Sequence, residues 1–365
     1  MDYLKLANDI FKEICVIPAP SKHEEKRVEY CVNKLKEFGF DAHVDDAKNV
    51  VCEFISDGCN DTVIFEAHTD VVFPDTTPLP LSEDDKNIYN PGCGDDTISV
   101  AFLITIIKKL IDENKKPKKN VIIILNSCEE GLGNLIGTRE IIKKYGNCTS
   151  EFYTFDGQYK DVVSTSVGSH RYKVTVKTKG GHSFNDFGNT NAVHILAQGI
   201  NKIYEIKIPE STGKTTYNVG IVSGGTSVNT IVQEASMLCE YRSDNYQSLE
   251  YMKQEFYKVF DYMKTFADIK VELVGERPCM KGVDESAQKA LTDYCVYVQN
   301  KHSGLDISVN SGSTDCNIPH SIGIPAICVG TYLGGGAHTR EEWIQKDSIE
   351  IGFKIVCEII ENYFE

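Results

Sequence analysis

Apolar positions along the first third of the chain follow two rhythms in turn. Residues 3–15 (YLKLANDIFKEIC) and 22–38 carry them at helical spacing, and Ser21 with Glu24 and Glu25 behind it supplies a helix start. Short apolar runs follow at 50–54, 62–67, 121–125 and 152–155, separated by helical stretches near 97–112 and 134–145. Strands alternating with helices predict an α/β sheet with helices on both faces.

The middle of the chain changes rhythm. RYKVTVKTK at 171–179 alternates polar and apolar, as a half-exposed strand does. A helix at about 190–204, strands near 215–223 and 232–242, an amphipathic helix at 246–266 and a strand at 269–275 complete a β-α-β-β-α-β order. That is the split βαβ arrangement of a small ferredoxin-like domain. Beyond Pro278 the earlier style resumes, with a helix at 284–300, a strand at 326–332 and a helix at 347–364. The expected fold is a discontinuous α/β domain, residues 1–166 and 278–365, with a compact α+β domain inserted at 167–277.

Composition narrows the class. A length of 365 residues suits two domains of ~150 residues each, and 41% hydrophobic with 25% charged residues is ordinary for a soluble globular protein. The longest apolar runs, VIIIL and VAFLITII, fall short of the ~20 residues that a membrane span needs. The N-terminal segment is amphipathic and contains acids, unlike a signal peptide, so the expected compartment is the cytoplasm. Thirty-eight basic against 53 acidic residues give a net charge of −15, which argues against nucleic acid and anionic membranes as partners. Thirteen cysteines without a CxxC pair read as reduced, mostly buried small hydrophobes.

The candidate chemistry sits where strands end. VIFEAHTD puts His68 and Asp70 two apart at a strand exit, on one side of the chain; a carboxylate there can hold the second ring N–H of a metal-binding histidine. Alone, the pair would also pass as two polar residues on the surface at a strand exit. PGCGDDT carries Asp95 and Asp96 through a tight glycine turn into the next helix, and adjacent acids repel unless a cation or solvent offsets them. VIIILNSCEEGLGNLIG sets Glu129 and Glu130 just after an apolar strand, in the crevice where α/β sheets bind ligands. A dinucleotide fold competes here: Gly131, Gly133 and Gly137 precede a helix, and Asp156 ends a later strand. Two glutamates beside a pyrophosphate would repel it, however, and that reading leaves His68, Asp95 and His338 unexplained. GGGAHTREEW follows the strand AICVGTY and presents His338 in a glycine loop. Convergence of these singular polar residues carries more weight than any one of them.

EAHTDVV, GCGDDT, SCEEGLGN, YTFDG, KGGHS, GGTSVNTI, SGSTDCN and GGGAHT, in this order, resemble the zinc metallopeptidases that include peptidase T, carboxypeptidase G, the cytosolic dipeptidases, aminoacylase and succinyl-diaminopimelate desuccinylase. The resemblance covers nearly the whole chain. It implies a catalytic domain with an inserted lid and dimerisation domain, a homodimer, and two divalent ions, zinc with manganese or cobalt as substitutes. One ion would take His68, Asp95 and Asp156, the other Asp95, Glu130 and His338, with Asp95 bridging. Asp70 would orient His68. Glu129 would be the general base that takes a proton from the bridging water and passes it to the leaving nitrogen. His182, in GGHS, would reach the neighbouring subunit's site to hold the oxyanion, and Asn229 and Arg242 would hold substrate oxygens or a carboxylate. For Arg242 a salt bridge on an exposed strand is the competing role.

Within that family the chain departs in places. Thr97, Ile98 and Ser99 follow Asp95-Asp96, where many members carry lysine and glycine. Asp156 stands where acylases and carboxypeptidase G usually have glutamate, which is the peptidase T and dipeptidase pattern, whereas GGHS is closer to the acylases. The expected activity is cleavage of di- and tripeptides by a peptidase T-like aminopeptidase. The alternatives are an N-acyl amino acid deacylase, of the acetylornithine deacetylase or desuccinylase kind, and a metal-holding binding protein without catalysis.

Overall fold

The structure is a computed structural model that describes residues 1–211 and 213–365. The chain divides into two compact units, Met1–Ser166 with Lys281–Glu365, and Val167–Met280. In chain order the first unit opens with α1 (Tyr3–Cys15), α2 (Glu25–Glu37), β1 (His43–Val44), β2 (Val50–Phe54), β3 (Thr62–His68), β4 (Ser82–Glu83) and β5 (Asn87–Tyr89). It continues with α3 (Ile98–Asp112), β6 (Asn120–Asn126), α4 (Ile136–Tyr145), β7 (Thr149–Phe155) and β8 (Asp161–Ser166). The second unit holds β9 (Gly168–Lys177), β10 (Gly181–His182), α5 (Ala192–Tyr204), β11 (Thr215–Gly224), β12 (Thr230–Ile231), β13 (Glu234–Ser243), α6 (Tyr246–Lys264) and β14 (Asp268–Arg277). The chain then returns through α7 (Glu285–Ser303), β15 (Ser308–Gly312), α8 (Asn317–Ser321), β16 (Ala326–Val329), β17 (Gly334–Gly335), β18 (Trp343–Gln345) and α9 (Lys346–Glu361).

The large sheet of the first unit runs β1-β2-β6-β3-β7-β16-β8-β15. Its four central strands are mutually parallel, β6 with β3, β3 with β7 and β7 with β16, whereas β2 and β8 pair antiparallel to their inner neighbours. Parallel strands need helices on both faces, so their sequences are apolar without alternation; every residue of β3 is buried. Val63, Phe65 and Ala67 join Val121, Ile123 and Leu125 against α1, α3, α7 and α9. Ile64, Ile122 and Ile124 face the other way, against α4 and α8. Glu66 lies on that second face, fully buried, where Thr138 donates to its carboxyl group at 3.0 Å and Asn126 donates to the nearby Asp315 at 3.0 Å. Among the described residues no helix is long and apolar enough to cross a membrane.

One expectation is revised, and two strands carry no sequence signal. Ser21 does not start α2, which begins at Glu25 behind Glu24 and lacks a side-chain cap; the serine hydroxyl donates to Asp70 instead, at 2.6 Å. The strands β8 (DVVSTS) and β15 (SVNSG) give no apolar signal, because they pair with each other at the margin of the sheet and β15 is largely exposed.

In the second unit β11-β13-β9-β14 form an antiparallel sheet. Along β9, Tyr172, Val174 and Val176 pack on α5 and α6 through Ile195, Leu196, Phe256 and Phe260, while Lys173 and Lys177 on the strand are exposed. This is the mixed α/β architecture with an inserted β-α-β-β-α-β module that the polar and apolar rhythm implies. At one edge of the sheet, β11 leaves Ile221 and Val222 exposed.

Candidate metal centre

Because β6, β3, β7 and β16 run parallel, their carboxyl ends open on the same edge of the sheet. β3 ends on His68 itself, β6 leads to Glu129 and Glu130, β7 to Asp156 and β16, through a glycine-rich loop, to His338. Asp95 arrives from the loop between β5 and α3, where the Asp95–Asp96 peptide is cis. A side chain on Gly94 of that loop would stand 2.3 Å from the Tyr332 ring, so only glycine lets the loop settle there.

The His68 ring is buried. Its Nδ1–H donates to the main-chain carbonyl of Asp70 at 3.0 Å, which leaves Nε2 facing Asp95 Oδ1, also at 3.0 Å. The other carboxylate oxygen of Asp95 lies 3.0 Å from His338 Nε2, and His338 Nε2 is 3.2 Å from Glu130 Oε1. Asp95 thus turns one oxygen to each imidazole. The donor atoms of His68, Asp95 and Asp156 lie within 4.8 Å of one another, as do those of Asp95, Glu130 and His338, and those of His68, Glu129 and Glu130. Ligands at ~2.0–2.2 Å from a zinc ion sit somewhat closer together than that limit. The donors are imidazole nitrogen and carboxylate oxygen only. The Cys128 thiol, next to Glu129, is pushed up to about 12 by burial and by Glu24, and takes no part as a thiolate.

The electrostatics are those of an acidic cluster whose charge needs a partner. Burial, and then the Asp95 charge, push Asp156 up to about 7. Burial also raises Glu130, against the pull of His338, and raises Asp96 well above the carboxylate range. Asp95 goes the other way: burial would raise it, but His338 and His68 hold it down. Without a cation, hydrogen bonds to Asp95 and Glu130 push His338 up to about 11. His68 is raised too, its burial outweighed by Asp70 and Asp95. The two imidazoles then carry protons in the place a divalent ion would take, and an entering ion must displace them.

The loops that present these groups are held from behind. Cys128 and His338 adopt left-handed φ of 61° and 64°, which residues other than glycine keep only where their surroundings enforce it. At the first loop three successive amides are taken by carboxylates. Cys128 N–H donates to Glu24 Oε1 at 3.2 Å, Glu129 N–H to Asp70 Oδ1 at 3.0 Å and Glu130 N–H to Asp70 Oδ2 at 3.0 Å. Asp70 therefore holds the Glu129–Glu130 turn more closely than it holds His68, whose Nδ1 lies 3.5 Å from the Asp70 carboxylate. The Asp95 loop is held by Glu342, whose carboxylate accepts from Gly92, Gly94 and Asp95 N–H. A buried guanidinium, Arg27, donates to Thr69 O at 3.0 Å and to Thr97 Oγ1 at 3.1 Å, tying the His68 and Asp95 segments together. Ser21, Glu24, Arg27 and Glu342 escape a reading of the sequence as site residues. Glu342 leaves only the hint of one more acidic pair (Glu341-Glu342), close to the candidate ligand His338.

The remaining sequence candidates lie in the second unit. His182 is exposed on β10, which pairs with β12, and Ser183 N–H donates to the Asn229 carbonyl at 2.9 Å, so His182 and Asn229 are neighbours. Arg242 is on β13, where Nε and Nη2 donate to the two oxygens of Glu240 at 2.8 and 3.0 Å. Of the glycines that suggested a dinucleotide fold, Gly133 and Gly137 serve packing, since a Cβ there would meet Cys128 O and Ser127 O at 2.4 Å, and Gly131 takes a left-handed φ of 56°.

Known proteins resemble this chain over most of its length. The model of "Peptidase family M20/M25/M40" matches residues 64–362. Protein YqjE of Bacillus subtilis (strain 168) is 24% identical over 96% of both chains. The succinyl-diaminopimelate desuccinylase of Methylobacillus flagellatus is 24% identical over 75% of this chain and 76% of its own. Among solved structures, a tripeptidase from Staphylococcus aureus subsp. aureus Mu50 superposes with a TM-score of 0.78 at 21% identity, covering 99% of this chain and 98% of the other.

Proposed function

The chain belongs to peptidase family M20/M25/M40 and is a hydrolase acting on amide bonds, and on that premise we propose that it is an aminopeptidase of di- and tripeptides. It works with two divalent ions, zinc by the chemistry of its donors, with manganese or cobalt able to substitute. His68, Asp95 and Asp156 hold one ion, and Asp95, Glu130 and His338 the other. The observation that carries this reading is Asp95, with one oxygen 3.0 Å from each of two histidines that come from distant parts of the chain. When bound, the ions supply Lewis-acid polarisation of the scissile carbonyl and lower the pKa of the attacking water.

The chain's own groups do the rest. Glu129, its main-chain N–H fixed by Asp70, receives the proton of the attacking water and hands it to the departing amine. His182 steadies the developing oxyanion from the neighbouring subunit, and Asn229 and Arg242 hold substrate oxygens or the peptide carboxylate. A homodimer through the inserted unit is favoured by the exposed Ile221 and Val222 at the β11 edge. The first unit is then the catalytic domain and the second the lid and dimerisation domain. Thirteen free cysteines fit the cytoplasm.

Two observations favour a second reading, N-acyl amino acid deacylation: the Gly180-Gly181-His182-Ser183 sequence and the desuccinylase relative. Mass-spectrometric turnover of a mixed library by zinc-loaded protein separates the two. The peptidase reading expects free amino acids released from tripeptides, with N-acetyl and N-succinyl amino acids untouched. The reverse pattern makes the protein a deacylase, and no turnover of either class makes it a metal-holding binding protein.

A further inference from the structure

Glu342 ties two of the ligand-bearing segments, those of Asp95 and His338, to each other. It lies just beyond His338 in the chain and is only 1% exposed. Its Oε2 accepts Gly92 N–H at 2.7 Å, and its Oε1 accepts Gly94 N–H at 2.8 Å and Asp95 N–H at 2.9 Å. Its main-chain carbonyl takes Asn90 N–H at 3.1 Å, and the next residue, Trp343, pairs with Tyr89 where β18 meets β5. Through one residue, the loop that delivers Asp95 is fastened to the loop that delivers His338. Those two ligands face each other at 3.0 Å.

An anion in this position is costly, since the group is buried and the Asp95 charge is close by. Three convergent amide donors offset that cost, and they call for an acceptor on every side. A glutamine would keep one acceptor oxygen and turn an NH2 group towards Gly92 N–H or towards the Gly94 and Asp95 pair, donor against donor. The carboxylate is therefore specific to its place, and its reach fixes where the Asp95 main chain can stand.

We propose that Glu342 is a positioning residue of the dinuclear centre, which holds Asp95 and the His338 loop in register so that a single carboxylate can serve both ions. The inference rests on the two-ion reading above. Outer groups that orient metal ligands change metal affinity or activity by about 10–100-fold when removed. The isosteric Glu342→Gln variant should therefore keep a cooperative fold, bind its second zinc about 10–100-fold more weakly by titration calorimetry, and lose kcat with little change in KM. Glu341→Gln, altering the exposed neighbour, should leave all three as in the wild type.

Hydrogen exchange of the zinc-free wild type supplies a second, independent readout. The segment 90–97 should already be protected before metal is added, because Glu342 rather than the ions holds it. Unchanged affinity for both zinc ions in Glu342→Gln would overturn the proposal. So would free exchange of 90–97 in the zinc-free wild type, and this second result decides the matter if the variant does not fold. A wild type that binds fewer than two zinc ions would count against the two-ion reading, and the exchange measurement would still judge the role of Glu342.

Discussion

Replacing Asp70 with asparagine separates two roles that one carboxylate could play. The Asp70 side chain is fully buried, and it accepts Glu129 N–H and Glu130 N–H at 3.0 Å each and the Ser21 hydroxyl at 2.6 Å. The substituted amide would keep one acceptor oxygen and present its NH2 to the other main-chain donor. One buried N–H is then left unpaired, at about 1–3 kcal/mol, and the bonds that survive lose their charge assistance. The expected loss of folding stability is roughly 2–4 kcal/mol. The Glu129 side chain moves with its main chain, and a displacement on the order of 1 Å can cost about a hundredfold in rate. Zinc affinity should fall at the ion that Glu130 helps to hold, whose turn Asp70 fixes, and change much less at the ion held by His68 and Asp156, because His68 Nδ1 donates to the Asp70 carbonyl, which the substitution leaves in place. Urea melts of the zinc-free protein, zinc titration and kcat on a tripeptide measure the three effects separately. If Asp70→Asn kept its stability and, at saturating zinc, its kcat, but bound the ion at His68 more weakly, Asp70 would act through His68, and the assignment to the Glu129–Glu130 turn would be wrong.

Other consequences are open to simple measurement. Chelation should abolish activity and lower the melting temperature, since at a free-zinc level about 1,000-fold above Kd each ion adds about 4 kcal/mol; full turnover in rigorously metal-free protein would contradict this. In the metal-free protein the raised His338 pKa, about 11, gives a stability contribution that is whole below the unfolded value and drains as pH climbs towards 11. The stability gap between wild type and His338→Ala should accordingly shrink from about pH 7 to about pH 10, and a constant gap would refute the assignment. Glu66 is raised well above its usual range by burial and then by Asp315, so its contribution is also lost as pH rises through the folded value. Glu66→Gln, which stays neutral, should hold its stability better than wild type at alkaline pH; steep destabilisation at every pH would mean that the site needs the carboxyl proton or charge. Mixing the inactive variants Glu129→Ala and His182→Ala should restore activity in mixed dimers if His182 serves the neighbouring subunit, and no recovery after confirmed subunit exchange would place it in its own site.

Four of the residues legible in the sequence share one property. His68, Glu130, Asp156 and His338 interrupt or follow short apolar runs, and such runs become parallel central strands whose carboxyl ends open on one edge. The polar break is visible because the strand around it is so apolar. Asp95 is visible for another reason, as half of an acidic pair in a glycine turn. Ser21, Glu24 and Glu342 lack any such contrast. They are ordinary polar residues in a chain with 53 acids; what sets Glu24 and Glu342 apart is burial against main-chain amides far away in sequence, and what sets Ser21 apart is the bond that its hydroxyl donates to Asp70. Arg27 shows the same limit: on an amphipathic helix its charge reads as solvent-facing, yet its guanidinium is buried against Thr69 and Thr97. Marginal strands such as β15 are missed for a related reason, because an exposed strand needs no apolar pattern.

The central claim is that Asp95 lies between two ions. Anomalous diffraction from crystals grown with zinc, recorded on both sides of the zinc absorption edge, tests it most directly. Two peaks are expected in each chain, one contacted by His68 and Asp156, the other by Glu130 and His338, with a different oxygen of Asp95 on each. A single peak, or a pair that Asp95 does not join, would contradict the account.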